Sequence, residues 1–291
     1  MIQHLVSRGM LRRFSNHRRG PISGLDLDTL QQRIDKVERF GAIDSPDLAE
    51  PDGIENVWNQ EVETRLPYAF QLLDEGKLLS NETAVTTIKN CIILHWARGF
   101  ALREITDRLL PAKADEVTAS VLERFAPTDA LHALTGLHVV SPDATRLLQQ
   151  RIRNQFAEKM RKERFVDQQF LKQYRDGQRL IRPYSLEIWR SQTEEFLIGD
   201  APAVSYDKDT DQVGVLNGVS WDKADCIFMP LGPHHVVALS KESRYKEADA
   251  AMVERLNVWQ VRGALREVYY RPESGLGDII ANALKQNQAA D

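Results

Sequence analysis

The sequence predicts an α+β protein: a helical N-terminal two-thirds, a small antiparallel sheet near residues 185–240, and C-terminal helices packed on it. Three observations carry that expectation. Apolar residues recur at helical spacing through residues 26–182, and the period shortens to two after "DGQRLIRP". The short apolar runs that follow leave no room for crossover helices, which favours antiparallel pairing. The sequence has no glycine-rich phosphate loop of the required spacing, so a doubly wound nucleotide-binding sheet is disfavoured.

Taken in order, residues 1–25 read as a basic arm interrupted by Gly9, Gly20, Pro21 and Gly24. Residues 26–39, "DLDTLQQRIDKVER", set Leu27, Leu30, Ile34 and Val37 at helical spacing, and "GAIDSPDLAEPDG" reads as a loop. Residues 54–75 place Ile54, Trp58, Val62 and Leu66 on one face, with Pro67 dividing the element. Ser80 or Asn81 is placed to cap a helix through "ETAVTTIKNCIILHWARGFALREITDRLL". The centre of that helix is apolar nearly all round, which puts it inside the bundle. Residues 113–125 and about 142–176 add two further helices, the second long and charged. Residues 183–240 hold the strands "SLEIWRS", "EFLIG", "AVSY", "CIFMPLG" and "HHVVALS". Residues 241–291 return to helix, from "ESRYKEADAAMVERLNVWQVRGALREVYY" to a short helix at about 275–286. All of it reads as one domain, 1–291, because a separate small sheet would have too little core of its own.

Composition narrows the class. Of 291 residues, 42% are hydrophobic and 27% charged, the mixture of a soluble globular protein, and no apolar run is long enough for a membrane span. The opening twenty residues contain five arginines and no acid, without the apolar core of a secretory signal. Cys91 and Cys226 lie in separate apolar stretches and suggest neither a disulfide framework nor a thiolate metal site, so a cytoplasmic location is expected. A net charge of −4 argues against general attraction to nucleic acid. Residues 151–182 nevertheless hold ten Arg or Lys against four acids; they read as an anion-facing helix or as a solvated face laced with pairs such as Glu158–Lys162.

Several segments, in order, resemble the domain of unknown function 4238 family. "QHLVSRGMLRRFS" is similar to its opening His-x-x-x-x-x-x-Leu-Arg-x-Phe segment, and "LHWARGFALRE" to a helix carrying an aromatic or Gln and then an Arg. "EEFLIGDAPAV" resembles its Phe-Ile-x-Ser-Asp-x-Pro-Val strand and turn, "IFMPLGPHHVVALS" the following strand pair, and "ERLNVWQVRGALREVY" a later helix with an Asn at Asn257. Ser7 stands where that family often has Pro, Gly199 where it often has Ser, and Ala201 where Asn is common. The resemblance implies a fold and a set of positions, without a mechanism.

The candidate site residues are His4, His95 and Asp200 as catalytic groups, with Arg12 and Arg98 as binders of an anionic substrate. His4 suits a metal ligand or an acid–base group, and the resemblance adds weight to it. Arg12 or Arg13 is able to clamp a phosphate or carboxylate, or to form a surface ion pair. His95 lies in the most apolar part of the chain, where a hydrogen-bonded core histidine is the plain alternative, and Arg98 shares its helix face. Glu61 is explained by a pair with Arg65 one turn on. Asp200, closing the apolar run Phe196–Leu197–Ile198, reads either as a turn residue or as a carboxylate at the mouth of a strand. Of His234 and His235, one at most faces such a site. Carboxylate, histidine and arginine together suit hydrolysis of a phosphodiester, nucleotide or other anionic substrate, nuclease action included, with a divalent metal as an open option. The alternative is a non-enzymatic regulatory protein that binds an anionic small molecule, nucleic acid or another protein.

Overall fold

The computed structural model describes residues 2–4, 6–17, 20–44, 58–98, 115–116, 146–147, 150–155 and 165–288. The chain forms two compact units, one of Met1–Leu102 with Phe170–Asp291, the other of Arg103–Gln169. In the second unit, residues 150–155 are helical and Arg153 forms an ion pair with Asp115. The expected helix at 113–125, the Glu158–Lys162 pair and most of the stretch from 99 to 164 lie outside the described residues.

The first unit overturns the expectation of a helical N-terminal two-thirds. Strands β1 (Ile2–His4), β2 (Ile22–Asp26), β3 (Gln32–Asp35) and β4 (Ala42–Asp44) occupy the opening segment, with β1 paired antiparallel to β4. The helical spacing at 26–39 misled because turn chemistry decides that stretch. Asp26 Oδ1 accepts from the backbone N–H groups of Asp28 and Thr29 and from the Thr29 hydroxyl, and Leu30 takes φ +56°. The result is a β2–β3 hairpin in which Ile34 points to solvent. Nor is the opening an arm: the chain from Ser7 turns through α1 (Arg8–Leu11) and a 3-10 turn, and Val6, Met10, Leu11 and Phe14 are completely buried.

The sheets are larger than expected and draw on both ends of the chain. After α2 (Leu66–Asp74), α3 (Glu82–Arg98) and α4 (Phe165–Leu180) come β5 (Ser185–Arg190), β6 (Ile198–Gly199), β7 (Val204–Asp207) and β8 (Gln212–Val213). Strands β9 (Cys226–Gly232), β10 (His235–Ser240) and β11 (Arg244–Glu247) precede α5 (Ala250–Gly263), β12 (Glu267–Tyr270) and α6 (Leu276–Gln288). One sheet has the order β11-β5-β10-β9-β7-β8 and is mixed, because β11 runs parallel to β5. The other has the order β3-β2-β12-β6 and is antiparallel throughout. The sheet is therefore not confined to residues 185–240, and the C-terminal segment contributes two strands as well as helices. The strand β12 follows a helix ended at Gly263, in a "REVYY" run whose β-branched and aromatic residues suit a sheet interior.

Helix starts followed the sequence signals more closely. Asn81 Oδ1 accepts from Ala84 N at 2.9 Å and caps α3, while Pro67 occupies the first turn of α2, separating it from a π-helical turn at Trp58–Glu63. Two apolar cores meet at one point in the chain. Phe196 packs with Val204, Phe228, Val236 and Leu256, under the mixed sheet and α5. Its neighbour Leu197 packs with Leu25, Val268, Tyr270 and Ile280, between the antiparallel sheet and α6. The continuous run Phe-Leu-Ile is thus apolar because successive side chains enter different cores.

Ser7 yields a first prediction. It stands at the N-cap of α1 with φ −55°, its hydroxyl is buried, makes no capping bond and has no partner among the described residues. That φ already suits proline. Ser7→Pro is expected to raise stability by about 0.5–1 kcal/mol, through the unfolded chain and removal of the orphaned hydroxyl. A urea titration of the two proteins checks it; a lower midpoint for the variant refutes the account.

Candidate functional site

A dense polar cluster grows from the π-helical turn. Its wide hydrogen bond, Thr64 N to Asn59 O at 3.2 Å, spans five residues, and such turns are frequent at functional sites. Trp58 and Val62 point inward, which turns Glu61 and Glu63 to either side of the buried stripe. The Trp58 indole N–H donates to Glu63 Oε1 at 2.6 Å, and its ring stands edge-on to His95 of α3 at 5.0 Å. His95 is buried at 1% exposure, one turn beyond Cys91, whose sulfur lies 3.7 Å from Met10 Sδ. Burial first, and the Glu63 charge second, push the Cys91 thiol well above its ordinary range, so it is a core group rather than a nucleophile.

Glu61 faces α4. It accepts from the Tyr174 hydroxyl at 3.0 Å, from both terminal nitrogens of Arg175 at 2.8 and 3.2 Å, and from Gln178 Nε2 at 3.3 Å. Gln178 Nε2 also reaches Asn90 Oδ1 at 3.2 Å and Tyr174 Oη at 3.1 Å. Burial opposes ionisation of Glu61, but the Arg175, Tyr174 and Gln178 bonds outweigh it and hold the carboxyl below its usual range. Burial and the Glu61 charge push Tyr174 upward, so the phenol keeps its proton. The partner of Glu61 is Arg175, 114 residues on, in place of the expected Arg65. Gly177 makes the approach of α4 to α3 tolerable: a Cβ there would stand 2.4 Å from Ile93 Cγ2.

The other sequence candidates are dispersed. His4 ends β1 opposite Ala42 and Arg98 ends α3, but the side chains of both lie outside the described residues. Arg12 is half exposed and bonds Glu38 at 3.1 Å. Its neighbour Arg13 is the inward one: it lies over Phe70, donates to Leu231 O and pairs with Asp74. His235, at the start of β10, faces Asp74 at 3.9 Å, and burial with the Arg13 charge lowers its pKa to about 4, so it is neutral at pH 7. Among the described residues no group of three His, Cys, Asp or Glu converges as a metal site, and no helix is long and apolar enough to cross a membrane.

Asp200 is 1% exposed, and both its carboxylate oxygens are engaged by backbone. Oδ1 accepts from Leu265 N at 2.8 Å; Oδ2 accepts from Arg266 N at 2.9 Å and Glu267 N at 3.4 Å. It fastens the corner between α5 and β12, and none of these three bonds goes to Trp58, His95 or Glu61. Burial dominates its titration and pushes it up to about 6, against the pull of the three amides.

A family model described as "Protein of unknown function (DUF4238)" matches residues 3–274. The chain belongs to the DUF4238 family. No curated protein and no solved structure matches it. The DUF4238-like strand "EEFLIGDAP" is stitched to α5 by side-chain amides. Asn257 Oδ1 accepts from Leu197 N at 3.0 Å and its Nδ2 donates to Glu195 O at 2.9 Å. Gln260 Oε1 accepts from Gly199 N at 2.8 Å and its Nε2 donates to Pro202 O at 2.9 Å. In this DUF4238 chain the position of Asn257 therefore supports the backbone of the Asp200 strand. Sequence reasoning missed Asn90, Tyr174, Arg175 and Gln178. The available signal was Gly177 inside a charged helix, since a mid-helix glycine marks a close approach.

Proposed function

We propose that the protein is a hydrolase of anionic substrates, phosphodiesters or nucleotides foremost, with its working groups around the π-helical turn. The observation that carries this reading is Glu61, held ionised between a protonated phenol and a guanidinium that is itself half exposed. In that arrangement Arg175 neutralises a bound phosphoryl or carboxyl group, Glu61 orients a water, and the buried Tyr174 hydroxyl holds the Glu61 carboxylate in place. His95 of the adjoining α3, in ring contact with Trp58, extends the site, Arg98 closes the same helix, and Asp200 is left out of the chemistry. The free thiols Cys91 and Cys226 fit a reducing cytoplasm.

Glu61→Gln and Arg175→Met are expected to cut release of 4-nitrophenolate from bis(4-nitrophenyl) phosphate by at least about 100-fold. Both should retain the wild-type circular dichroism spectrum. Turnover unchanged in both variants removes the site. The non-enzymatic reading draws on a different aspect of the same cluster, the complete engagement of Glu61 by protein donors. It predicts saturable binding of ATP or single-stranded RNA without turnover by the wild type.

A further inference from the structure

A cavity of about 430 Å³ opens between the end of α4 and the 220–227 segment, apart from the Glu61 cluster. Its floor is apolar, with Ile181 and the start of β9 behind it, and its walls include the rings of Tyr184 and Trp221. Tyr184 is held from behind by Lys89, whose ammonium donates to its carbonyl at 2.6 Å. The Trp221 ring packs on Trp96 with centroids 4.8 Å apart, and its indole N–H, buried, has no acceptor among the described residues. The wall is therefore braced on both sides, as a preformed site requires.

The charged side chains that line this cavity are both acidic, with Lys208 and Lys223 standing outside the lining. Its lining contains two carboxylates, Asp222 and Asp225, and no basic residue. Asp225 is taken by Lys208, which bonds it through Nζ at 3.2 Å and through its backbone N–H at 2.9 Å. Asp222 is different. Its side chain accepts from the Ser220 hydroxyl at 2.6 Å and forms no ion pair among the described residues. That hydroxyl, with the residue's own backbone N–H, holds the carboxyl below its ordinary range, so a full negative charge stands at the rim.

We propose that this cavity binds a small organic cation, an ammonium group carried on an apolar or aromatic body. Aromatic faces attract an ammonium through their quadrupoles, the apolar floor takes the body, and Asp222 supplies the opposite charge. A hydrated metal ion lacks the apolar part that the floor would cover, and two carboxylates repel an anion. The ligand class is thus opposite in charge to that proposed for the Glu61 cluster, so the two sites are independent and neither test bears on the other.

The test is titration of the full chain with phenethylammonium, benzyltrimethylammonium and 3-phenylpropionate, followed by calorimetry and tryptophan fluorescence. Both cations are expected to bind saturably and 3-phenylpropionate not to bind. Asp222→Asn should weaken the cations by about tenfold, and Trp221→Leu should weaken benzyltrimethylammonium at least as much. Glu61→Gln should leave them unchanged. Equal binding of 3-phenylpropionate, affinity untouched by Asp222→Asn, or no saturable binding of either cation up to roughly 10 mM each overturns the proposal.

Discussion

Asp200→Ala is expected to lower stability at neutral pH by about 3 kcal/mol, a fall of roughly 6–12 °C in Tm. The carboxylate accepts from three backbone N–H groups at a buried corner, and alanine removes that acceptor from all three. Asp200→Asn keeps one carbonyl acceptor but turns an amide N–H toward the remaining donors, so it falls between wild type and alanine. The pH dependence has an unusual sign. With a pKa pushed from 3.8 up to about 6 by burial, the folded protein binds this proton more tightly than the unfolded chain. Its contribution to stability is therefore greatest below pH 4, declines as pH rises from about 4 to 6, and is flat above. The decline amounts to about 3 kcal/mol. Urea unfolding at pH 4.5 and 7.5 measures it, with Asp200→Asn as the variant lacking the slope. A variant as stable as wild type at pH 7.5 contradicts the assignment of Asp200 to the corner.

Gln260→Leu should be comparably damaging. Gln260 is fully buried, and its two amide atoms serve Gly199 N and Pro202 O, both inside the protein. Leucine matches the bulk and strands one donor and one acceptor, at about 1–3 kcal/mol each. The expected loss is about 2–6 kcal/mol, read as a lowered urea midpoint with an unchanged slope. Val258, two residues away on the same helix, is half exposed, so Val258→Ala serves as the control and should change stability by less than about 0.5 kcal/mol. Comparable losses in the two variants mean that α5 is fragile as a whole and that the Gln260 bonds are not the cause.

Legibility in the sequence followed the range of the interaction that decides each element. The start of α3 at Asn81, the break at Pro67, and β5, β6, β7, β9 and β10, the first read from its alternation and the others from short apolar runs between turn signals, depend on neighbours in sequence, and the pattern showed them. The β2–β3 hairpin was hidden because Leu27, Leu30, Ile34 and Val37 imitate a helix, while one carboxylate, Asp26, organises a turn. Strand β12 was hidden behind α5: only pairing with β2, more than two hundred residues earlier, makes it a central strand. The site divided the same way. Glu61 and His95 stood out by residue type, but the partners that set the state of Glu61 come from α4, at a separation no local pattern encodes. Asp200 was conspicuous for its place after an apolar run, yet that place reflects the needs of the α5–β12 corner.

The β3-β2-β12-β6 order also sets a timetable for synthesis. The hairpin β2–β3 is complete at Asp35, while its inner neighbour β12 ends at Tyr270. At about 5–20 residues per second on the ribosome, the hairpin waits roughly 10–50 s for that strand. Over this interval the open edge of β2 and the side chains of Ile22 and Leu25, later fully buried, have no native cover from β12. A nascent chain of this protein is therefore a customer for holding chaperones until β12 emerges, and truncations before Glu267 should accumulate as chaperone-bound or insoluble chains.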